Sequence, residues 1–414
     1  MITARDKTTN DVTFADLGVD PGLVDLLETD GITAPFPIQS MTIPDALAGR
    51  DVCGRARTGS GKTLAFGLPM IQKLATAESR RPRALILVPT RELANQVSEV
   101  MQPLAKSRGF DHVAIYGGVS MNRQIDKLKR GAEIVIATPG RLIDLMDRKE
   151  VHLDDVTMVT IDEADQMADM GFLPQVRRIM RQVPNDRQTM LFSATLDGQV
   201  ATLINDYMVD PVEHGVEEVT SPIETMEHRF LKVHHMDKVK VAAAIAQSAA
   251  RTLVFTRTKF GCDRLTRELG TAGVEARAIH GDLHQSKREQ ALAGFSDGRT
   301  PVLVATNVAA RGLHIDNVDI VIHYDPPDDP KTYLHRSGRT ARAGESGLVV
   351  TLVEWDQVNE VIGIQRRAGL NVPIVKMFSN DERLSGLAEW EPDAELAPFS
   401  GAARRRPGAA RRRR

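Results

Sequence analysis

The residues with the clearest chemistry lie at positions 56–63, which read Ala-Arg-Thr-Gly-Ser-Gly-Lys-Thr. Gly59 and Gly61 allow the backbone N–H groups to turn into one concavity that holds phosphate, and a following helix would add the positive end of its dipole. Lys62 would reach the terminal phosphates, and the Thr63 hydroxyl would hold Mg²⁺. The stretch departs from the strict phosphate-loop pattern only at its first position, where the pattern has glycine. We therefore predict a nucleoside triphosphate site.

A pair of acidic residues follows at the end of an apolar run. Residues 159–165 read Val-Thr-Ile-Asp-Glu-Ala-Asp, so a buried strand would deliver Asp162 and Glu163 to its carboxyl end. Asp162 is placed to hold Mg²⁺, usually through water, and Glu163 to orient or deprotonate the attacking water. Paired acids at a strand end are common in α/β proteins, whereas an Asp-Glu-Ala-Asp run after a phosphate loop is not.

The elements that must position these groups are short apolar strands alternating with helical stretches. The predicted strands are residues 84–88, 113–116, 134–137, 156–161 and 190–192, and then 252–255, 276–279, 302–305, 320–323 and 348–353. Continuous apolar strands alternating with helices are typical of parallel sheets covered on both faces. A polar break near residues 210–222 divides the series in two. The sequence therefore predicts two doubly wound α/β domains, with ligands at the carboxyl ends of the strands.

Composition narrows the class of protein. A chain of 414 residues suits two domains plus tails. No apolar run is long enough to cross a bilayer, and the first residues lack a signal-peptide core. The two cysteines, Cys53 and Cys262, are far apart, which favours a reducing cytoplasm, and we expect Cys53 to be a buried strand residue. With a formal net charge of −2, a nucleic-acid binder must concentrate its positive charge locally.

Taken together, the ordered motifs resemble a DEAD-box ATP-dependent RNA helicase of superfamily 2, of the bacterial type with a short basic C-terminal tail. The resemblance covers residues 14–375 and rests on residues 37–39, 56–63, 89–93, 117–118, 138–141, 162–165, 193–195, 254–257, 285–288, 305–312 and 335–342. It implies two tandem RecA-like doubly wound parallel-sheet domains, with ATP and Mg²⁺ in the cleft between them.

The resemblance also implies a set of nucleotide-binding residues. They are Phe14, Ile32, Gln39, Ala56, Arg57, Thr58, Gly59, Ser60, Gly61, Lys62, Thr63, Gly312 and His314. Gln39 would hydrogen-bond the adenine edge. Ile32 stands where the family usually has an aromatic residue that stacks on adenine, Phe36 replaces a usual Thr or Ser, and Asn307 and His314 each replace a usual Asp. Because stacking is worth about 1 kcal/mol, we expect weaker base discrimination with binding retained.

Two arginines of the second half, Arg339 and Arg342, are implied as catalytic together with Lys62, Asp162 and Glu163. A bidentate guanidinium on the γ-phosphate stabilises the charge that develops during phosphoryl transfer. The residues implied to couple the two halves are Asp165, Ser193, Thr195 and His335. Since the base and the arginines belong to different domains, hydrolysis would require domain closure.

A single strand of RNA would contact turns and hydroxyls of both domains. The candidate contacts are Pro89, Thr90, Arg91, Gly118, Thr138, Gly140, Arg141, Thr256, Arg257, Gln285, Arg288 and Thr306. None is aromatic, so we expect sequence-independent recognition of the phosphates and 2′-hydroxyls instead of base stacking. For Pro89, Thr138 and Pro139, turn formation or helix capping is an equally good interpretation.

The predicted domain plan is a flexible N-terminus at 1–13, an ATP-binding domain at 14–211, a linker at 212–224, a second domain at 225–376 and a disordered tail at 377–414. The tail is acidic and then arginine-rich, with seven arginines in residues 404–414. It would tether RNA, and ribosomal particles or an RNA-degradation complex are candidate partners.

We expect a monomer that remodels short RNA duplexes and ribonucleoproteins by RNA-stimulated ATP hydrolysis. An ATP-gated RNA clamp that unwinds little, and a DNA helicase of related fold, are the alternatives.

Overall fold

The computed structural model describes residues 12–56, 59–216, 226–310, 318–340, 347–393 and 397–398. The chain divides into two compact units, and the boundary follows Glu217. We name the part before this boundary the first unit and the part after it the second unit. Several predicted site residues lie outside the described residues, namely Arg57, Thr58, Gly312, His314 and Arg342.

The first unit is built on a seven-stranded parallel sheet. Its described strands are β1 Val52–Arg55, β2 Ala84–Leu87, β3 His112–Ile115, β4 Ile134–Ala137, β5 Met158–Asp162, β6 Gln188–Ser193 and β7 Val212–Gly215. Its described helices are α1 Pro21–Thr29, α2 Pro37–Leu47, α3 Lys62–Lys73, α4 Arg91–Ser107, α5 Met121–Lys129, α6 Pro139–Asp147, α7 Ala164–Asp169, α8 Leu173–Met180 and α9 Gly198–Tyr207. The strand order is β3-β4-β2-β5-β6-β1-β7.

The central strands of this sheet are buried on both faces. Every residue of β2, β4, β5 and β6 is buried. Successive side chains of a strand point to opposite faces, so each face needs its own apolar cover. Two hydrophobic clusters provide it, one containing Phe66 and Met101 of α3 and α4 and the other containing Leu142 and Val176 of α6 and α8.

The second unit repeats this architecture. Its described strands are β8 Met226–Lys232, β9 Thr252–Thr256, β10 Ala276–Ile279, β11 Val302–Thr306, β12 Ile320–His323, β13 Gly347–Val353 and β14 Ile374–Lys376. Its described helices are α10 Lys238–Gln247, α11 Lys259–Thr271, α12 Gln285–Ser296, α13 Asn307–Ala310, α14 Pro330–Ser337 and α15 Val358–Arg367, followed by a 3-10 helix at Glu382–Gly386. All strands are parallel, in the order β10-β11-β9-β12-β13-β8-β14. The α/β fold prediction is confirmed for both units.

The structure differs from the sequence prediction at the start of the proposed linker. Residues Val212–Gly215 form β7, which pairs in parallel register with β1. None of its residues is buried, because β7 is the edge strand and has a neighbour on one side only. Its polar composition therefore looks like a linker although its backbone completes the sheet.

The predicted disorder after residue 376 is wrong for residues 377–393. Met377, Leu384 and Leu387 are buried in the hydrophobic core of the second unit. Arg229 Nε donates to the Leu387 carbonyl oxygen at 3.0 Å, and the Ser379 N–H donates to Asp237 at 2.7 Å. A few apolar side chains and these polar contacts anchor a segment whose acidic composition alone predicts no core. The arginine-rich residues 404–414 lie outside the described residues.

Within the described ranges, no helix has the length and apolar character needed to cross a membrane.

Candidate nucleotide site and nucleic-acid surfaces

The phosphate loop connects the end of β1 to the start of α3. Gly59 and Gly61 have φ of +87° and +82°, the left-handed region that favours glycine. A Cβ atom at Gly61 would lie 2.5 Å from Gln39 Nε2 and 2.6 Å from Phe36 Cδ2, so this position has no room for a side chain. The loop thus leads directly into the N-terminus of α3, and a glycine-rich loop followed by a helix N-terminus is the backbone form of an anion site.

Lys62 lies buried among carboxylates at the start of α3. Its Nζ is 2.6 Å from Glu163 Oε1 and 3.8 Å from Asp162 Oδ1, and it donates to the Ala56 carbonyl oxygen at 3.3 Å. Burial alone would lower the pKa of Lys62, but the charges of Glu163 and Asp162 outweigh it and raise the pKa. The ammonium group therefore stays protonated beside the loop, as a phosphate ligand must.

Asp162 and Glu163 leave the sheet at the end of β5. Glu163 has φ +53° and ψ +49°, an uncommon left-handed conformation for a non-glycine residue, and its N–H donates to Asp162 Oδ1 at 2.9 Å. Burial raises the pKa of Asp162 to about 7, although the charge of Lys62 opposes this. A cation bound next to Asp162 would favour its carboxylate form.

The donor set fits Mg²⁺ held partly by a nucleotide. Among the described residues, no group of three or more His, Cys, Asp or Glu side chains is placed to hold a metal by itself. Mg²⁺ is ordinarily bound by one or two carboxylates together with substrate phosphates and water. Asp162 and Thr63, which follows Lys62 in the first turn of α3, would supply the protein ligands.

Gln39 connects the start of α2 to the phosphate loop. Its Nε2 donates to the Gly61 carbonyl oxygen at 2.8 Å, and its Oε1 accepts from the Phe36 N–H at 2.8 Å. The side chain is almost fully buried. Phe14 is buried in the hydrophobic cluster that contains Phe66 and Met101, and Ile32 packs against this cluster while remaining partly exposed. Sequence reasoning missed the Gln39–Gly61 bond, because two residues 22 positions apart carry no local signal of contact.

Two of the predicted coupling residues meet in the first unit. The Asp165 N–H donates to Ser193 Oγ at 3.1 Å, and both residues are buried. Strands β5 and β6 are neighbours in register, which brings the start of α7 to the end of β6. Thr195 is half-buried two residues later, and His335 is half-buried in the last turn of α14.

The described arginine cluster of the second unit is anchored at Arg336. Its Nε donates to Asn307 Oδ1 at 2.5 Å and one terminal nitrogen donates to the Asp325 carbonyl oxygen at 2.7 Å. Asn307 thus provides the oxygen acceptor that an Asp would provide there. Arg339, three residues after Arg336, is 8% exposed. Sequence reasoning treated Asn307 only as a departure and did not foresee its contact with Arg336.

Predicted RNA contacts of the first unit converge at the ends of three neighbouring strands. Arg91 follows β2, Gly118 follows β3 and Arg141 follows β4. A Cβ at Gly118 would overlap the Arg91 guanidinium, and one at Gly117 would lie 3.7 Å from Arg91 and 3.9 Å from Arg141. The candidate contacts Pro89, Thr90, Thr138 and Gly140 belong to the same turns, where Thr90 and Thr138 are the N-caps of α4 and α6.

The predicted RNA contacts of the second unit are more buried. Thr256 and Thr306 are register partners at the ends of β9 and β11. Gln285 and Arg288, in the first turn of α12, are each 7% exposed. Arg257 is the more accessible group, and its guanidinium lies 2.9 Å from Asp328. An RNA role for these residues stays a prediction.

The chain belongs to the DEAD-box helicase family. Residues 36–203 match the family described as DEAD/DEAH box helicase, and residues 234–344 match the Helicase conserved C-terminal domain. The DEAD-box ATP-dependent RNA helicase CshA of Bacillus subtilis is 38% identical over 377 residues, which is 91% of this chain and 76% of that protein. The ATP-dependent RNA helicase CshA of Listeria monocytogenes is 43% identical over 82% of this chain.

The chain is shorter than several of these relatives. It spans 66% of the Listeria protein and 52% of the chloroplastic DEAD-box ATP-dependent RNA helicase 3A of Zea mays. Among solved structures, S. cerevisiae Dbp5 bound to RNA and ADP BeF3 is similar with a TM-score of 0.78 and 30% identity, covering 91% of this chain and 98% of that chain. The two sheets are thus tandem RecA-like domains.

Proposed function

We propose that the chain is an RNA-stimulated ATPase that uses ATP hydrolysis for local, non-processive separation of short RNA duplexes and remodelling of RNA–protein particles. The observation that carries this proposal is the buried Lys62 held between Glu163 and Asp162 directly behind the loop of Gly61. Family membership and the printed names of the relatives support the same activity.

The residues of the first unit suit ATP hydrolysis. Gln39 would meet the adenine edge, while the N–H groups of the loop and Lys62 would hold the phosphates. Mg²⁺, held by Asp162 and Thr63, would neutralise phosphate charge. Once Lys62 turns to a phosphate, Glu163 would lose its ion pair with Lys62 and accept the proton of the water that attacks the γ-phosphorus. ADP and inorganic phosphate are then released.

The second unit would contribute positive charge to the same step. Arg339 and Arg342 are proposed to bind the γ-phosphate as its charge changes during transfer. His335 is proposed to link this step to Asp165 and to the Ser193–Thr195 turn. The contact of Arg336 with Asn307 fixes the side chain three residues before Arg339.

Strand separation is proposed to follow from binding. The pair of units with ATP would grip one RNA strand in a bent shape that a duplex cannot adopt, so the partner strand is lost and hydrolysis resets the grip. Since ATP and RNA favour the same state in this scheme, each should raise the affinity of the other by the same factor.

The test is a turnover measurement with matched RNA and DNA. A short RNA duplex and a DNA duplex of the same sequence are compared for ATPase stimulation and strand release. Stimulation and repeated strand release with RNA alone would support the proposal, and equal stimulation by DNA would overturn the RNA assignment. Slow turnover with long-lived RNA complexes would instead identify an ATP-gated clamp.

Ser193→Ala tests the coupling role in the same assay. The change removes the acceptor of the Asp165 N–H, and we expect hydrolysis to continue while strand release falls. Thr202→Ala, an exposed hydroxyl on α9, is the matched control. Equal losses of hydrolysis and release would contradict a coupling role.

The arginine-rich end is proposed to tether RNA electrostatically. Deleting the residues after Ala403 should lower RNA affinity mainly at low salt, because each phosphate contact adds to the salt dependence. An unchanged salt slope would leave the tail without this role. Ribosomal particles or a degradation complex as partners, a monomeric state and a cytoplasmic location stay predictions.

A further inference from the structure

Two exposed aromatic rings, each with a lysine above it, lie at one end of the second sheet. Lys232 Nζ is 4.0 Å from the centroid of the Trp355 ring, and Lys376 Nζ is 4.7 Å from that of Phe378. Trp355 is 59% exposed and Phe378 is 46% exposed. We name Lys232, Trp355, Lys376 and Phe378 the ring–lysine patch.

The two lysines are neighbours by sheet register. Lys376 of β14 pairs with Lys232 of β8, and Val353 of β13 pairs with Lys232 from the other side. Adjacent strands are about 4.8 Å apart, and like charges placed opposite each other destabilise a sheet. The position therefore concentrates positive charge at a cost, which a bound anion would offset.

Nearby carboxylates are engaged by other groups. Glu354 binds Lys238 at 2.8 Å, Asp237 binds Ser379 at 2.7 Å, and Asp381 binds Arg383 at 2.6 Å. In the part of the chain that the structure describes, no ion pair within 4.0 Å joins Lys232 or Lys376 to an acidic side chain. Asp356, beside Trp355, is exposed and is the acidic group that would oppose an anionic ligand.

The patch and the candidate RNA contacts lie at the same end of the strands. Because all seven strands are parallel, their carboxyl ends lie on one side of the sheet. Thr256 ends β9 and Lys232 ends β8, and these two strands are three places apart in the sheet order. At the usual strand spacing this is about 14 Å, so one extended strand of RNA can run from the first set of contacts to the patch.

We propose that Lys232, Trp355, Lys376 and Phe378 form an additional contact for single-stranded RNA, beyond the strand held at the ends of β9 and β11. The rings offer stacking faces for bases, and the lysines can turn from the rings to phosphates. The inference rests on the proposed function, since it assumes that RNA is the ligand. It would make binding depend on RNA length. No sequence pattern reveals the patch, because its residues lie at or just after the ends of three separate strands.

Fluorescence of Trp355 tests the contact directly. The chain has two tryptophans, so Trp390→Phe leaves Trp355 as the sole reporter. Single-stranded oligouridylates of 6 and 20 nucleotides are titrated into the full chain with a non-hydrolysable ATP analogue. We expect the longer RNA to quench Trp355 and the shorter one to leave it unchanged. No response to either RNA would overturn the proposal.

Substitutions separate the patch from the core function. Trp355→Ala with Phe378→Ala should weaken binding of the longer RNA about 30-fold or more, because two stacked bases lose their partners. Affinity for the shorter RNA and its ATPase stimulation should not change. Trp355→Phe, which keeps a ring, should retain most of the affinity, and Asp356→Asn should raise it.

The outcomes also distinguish the two proposals. If no RNA stimulates the ATPase, the proposed function fails. If RNA stimulates it but the double variant binds the longer RNA like the unchanged chain, the patch proposal alone is wrong. Quenching by an oligoglutamate peptide but not by RNA would likewise overturn it and indicate an acidic protein partner. A thermal unfolding curve matching that of the unchanged chain shows that the variant is folded.

Discussion

Lys62 and Glu163 form a buried ion pair, with Nζ 2.6 Å from Oε1 and both side chains 5% exposed. The proposed phosphate ligand and the proposed base thus hold each other. When a triphosphate binds Lys62, the lysine exchanges one anionic partner for another, and Glu163 can then accept a proton. Breaking a buried pair by removing one partner leaves an uncompensated charge, so the two residues should respond differently to substitution.

Lys62→Ala should remove most nucleotide affinity. A charged hydrogen bond is worth about 1.5–3 kcal/mol, which corresponds to a loss of about 10- to 100-fold. Titration with a fluorescent ATP analogue measures it. The control is Lys73→Ala at the other end of the same helix, which should bind like the unchanged chain. Equal affinities of the Lys62 variant and the control would refute the phosphate role.

Glu163→Gln should retain ATP and RNA binding while slowing hydrolysis about 10²- to 10⁴-fold, the usual contribution of a general base. Single-turnover phosphate release, measured beside equilibrium binding, separates the two effects. Glu99→Gln, at an exposed position of α4, is the matched control. Normal hydrolysis by the Glu163 variant would show that another group activates the water.

Gly61→Ala should weaken nucleotide binding about tenfold through crowding. The new Cβ would meet Gln39 and Phe36 within 2.6 Å. Gly171→Ala is the control, since Gly171 also has a left-handed φ, +73°, but has no atom within 4 Å of a Cβ. The control should lose only about 1–2 kcal/mol of unfolding free energy, the cost of a side chain in the left-handed conformation, and its nucleotide affinity should not change. Similar affinities in both variants would show that the contact with Gln39 is unimportant.

At pH values below about 6.5, the second unit should lose stability because of His323. This side chain is fully buried beside Tyr333, with ring centroids 4.9 Å apart. Burial, with smaller effects of Arg336 and His228, lowers its pKa well below the ordinary 6.5. The unfolded chain therefore binds a proton that the folded chain excludes, so stability is present above pH 6.5 and is lost as the pH falls towards the folded pKa.

The free energy of unfolding should fall by about 1.4 kcal/mol for each pH unit below 6.5. Urea unfolding of the unchanged chain between pH 5 and 8, with hydrogen exchange at β12 and β13, measures it. His323→Asn should flatten the slope, whereas His235→Asn, at an exposed site, should keep it. A slope that is the same in all three chains would contradict the assignment.

The sequence predicts most strands, including the edge strands β3 and β10, but it misses β7, β8 and β14. Strand β2 is a continuous apolar run because both of its faces are covered, and that run is visible without a structure. Strand β7 is partly exposed and polar, and β14 has three residues, so neither has a distinctive pattern. Both are held by pairing with a neighbour distant in the chain, which only the folded sheet reveals.

The candidate nucleotide site also combines features that the sequence predicts with features that only the fold reveals. The loop and the acidic pair are contiguous motifs whose chemistry is readable from residue types. The Gln39–Gly61 and Arg336–Asn307 contacts join residues 22 and 29 positions apart, so they depend on the topology. Roles that need Arg57, Thr58, Gly312, His314 or Arg342 stay predictions.

The packed segment after β14 has a practical consequence for where this protein can be cut. A version ending at Lys376, the limit that composition suggests, would lose Met377, Leu384 and Leu387 and uncover the apolar surface beneath them. Such a shortened chain would expose an apolar surface patch and tend to self-associate. Poor solubility of that version would reflect this lost cover, and the boundary for recombinant work belongs beyond residue 393.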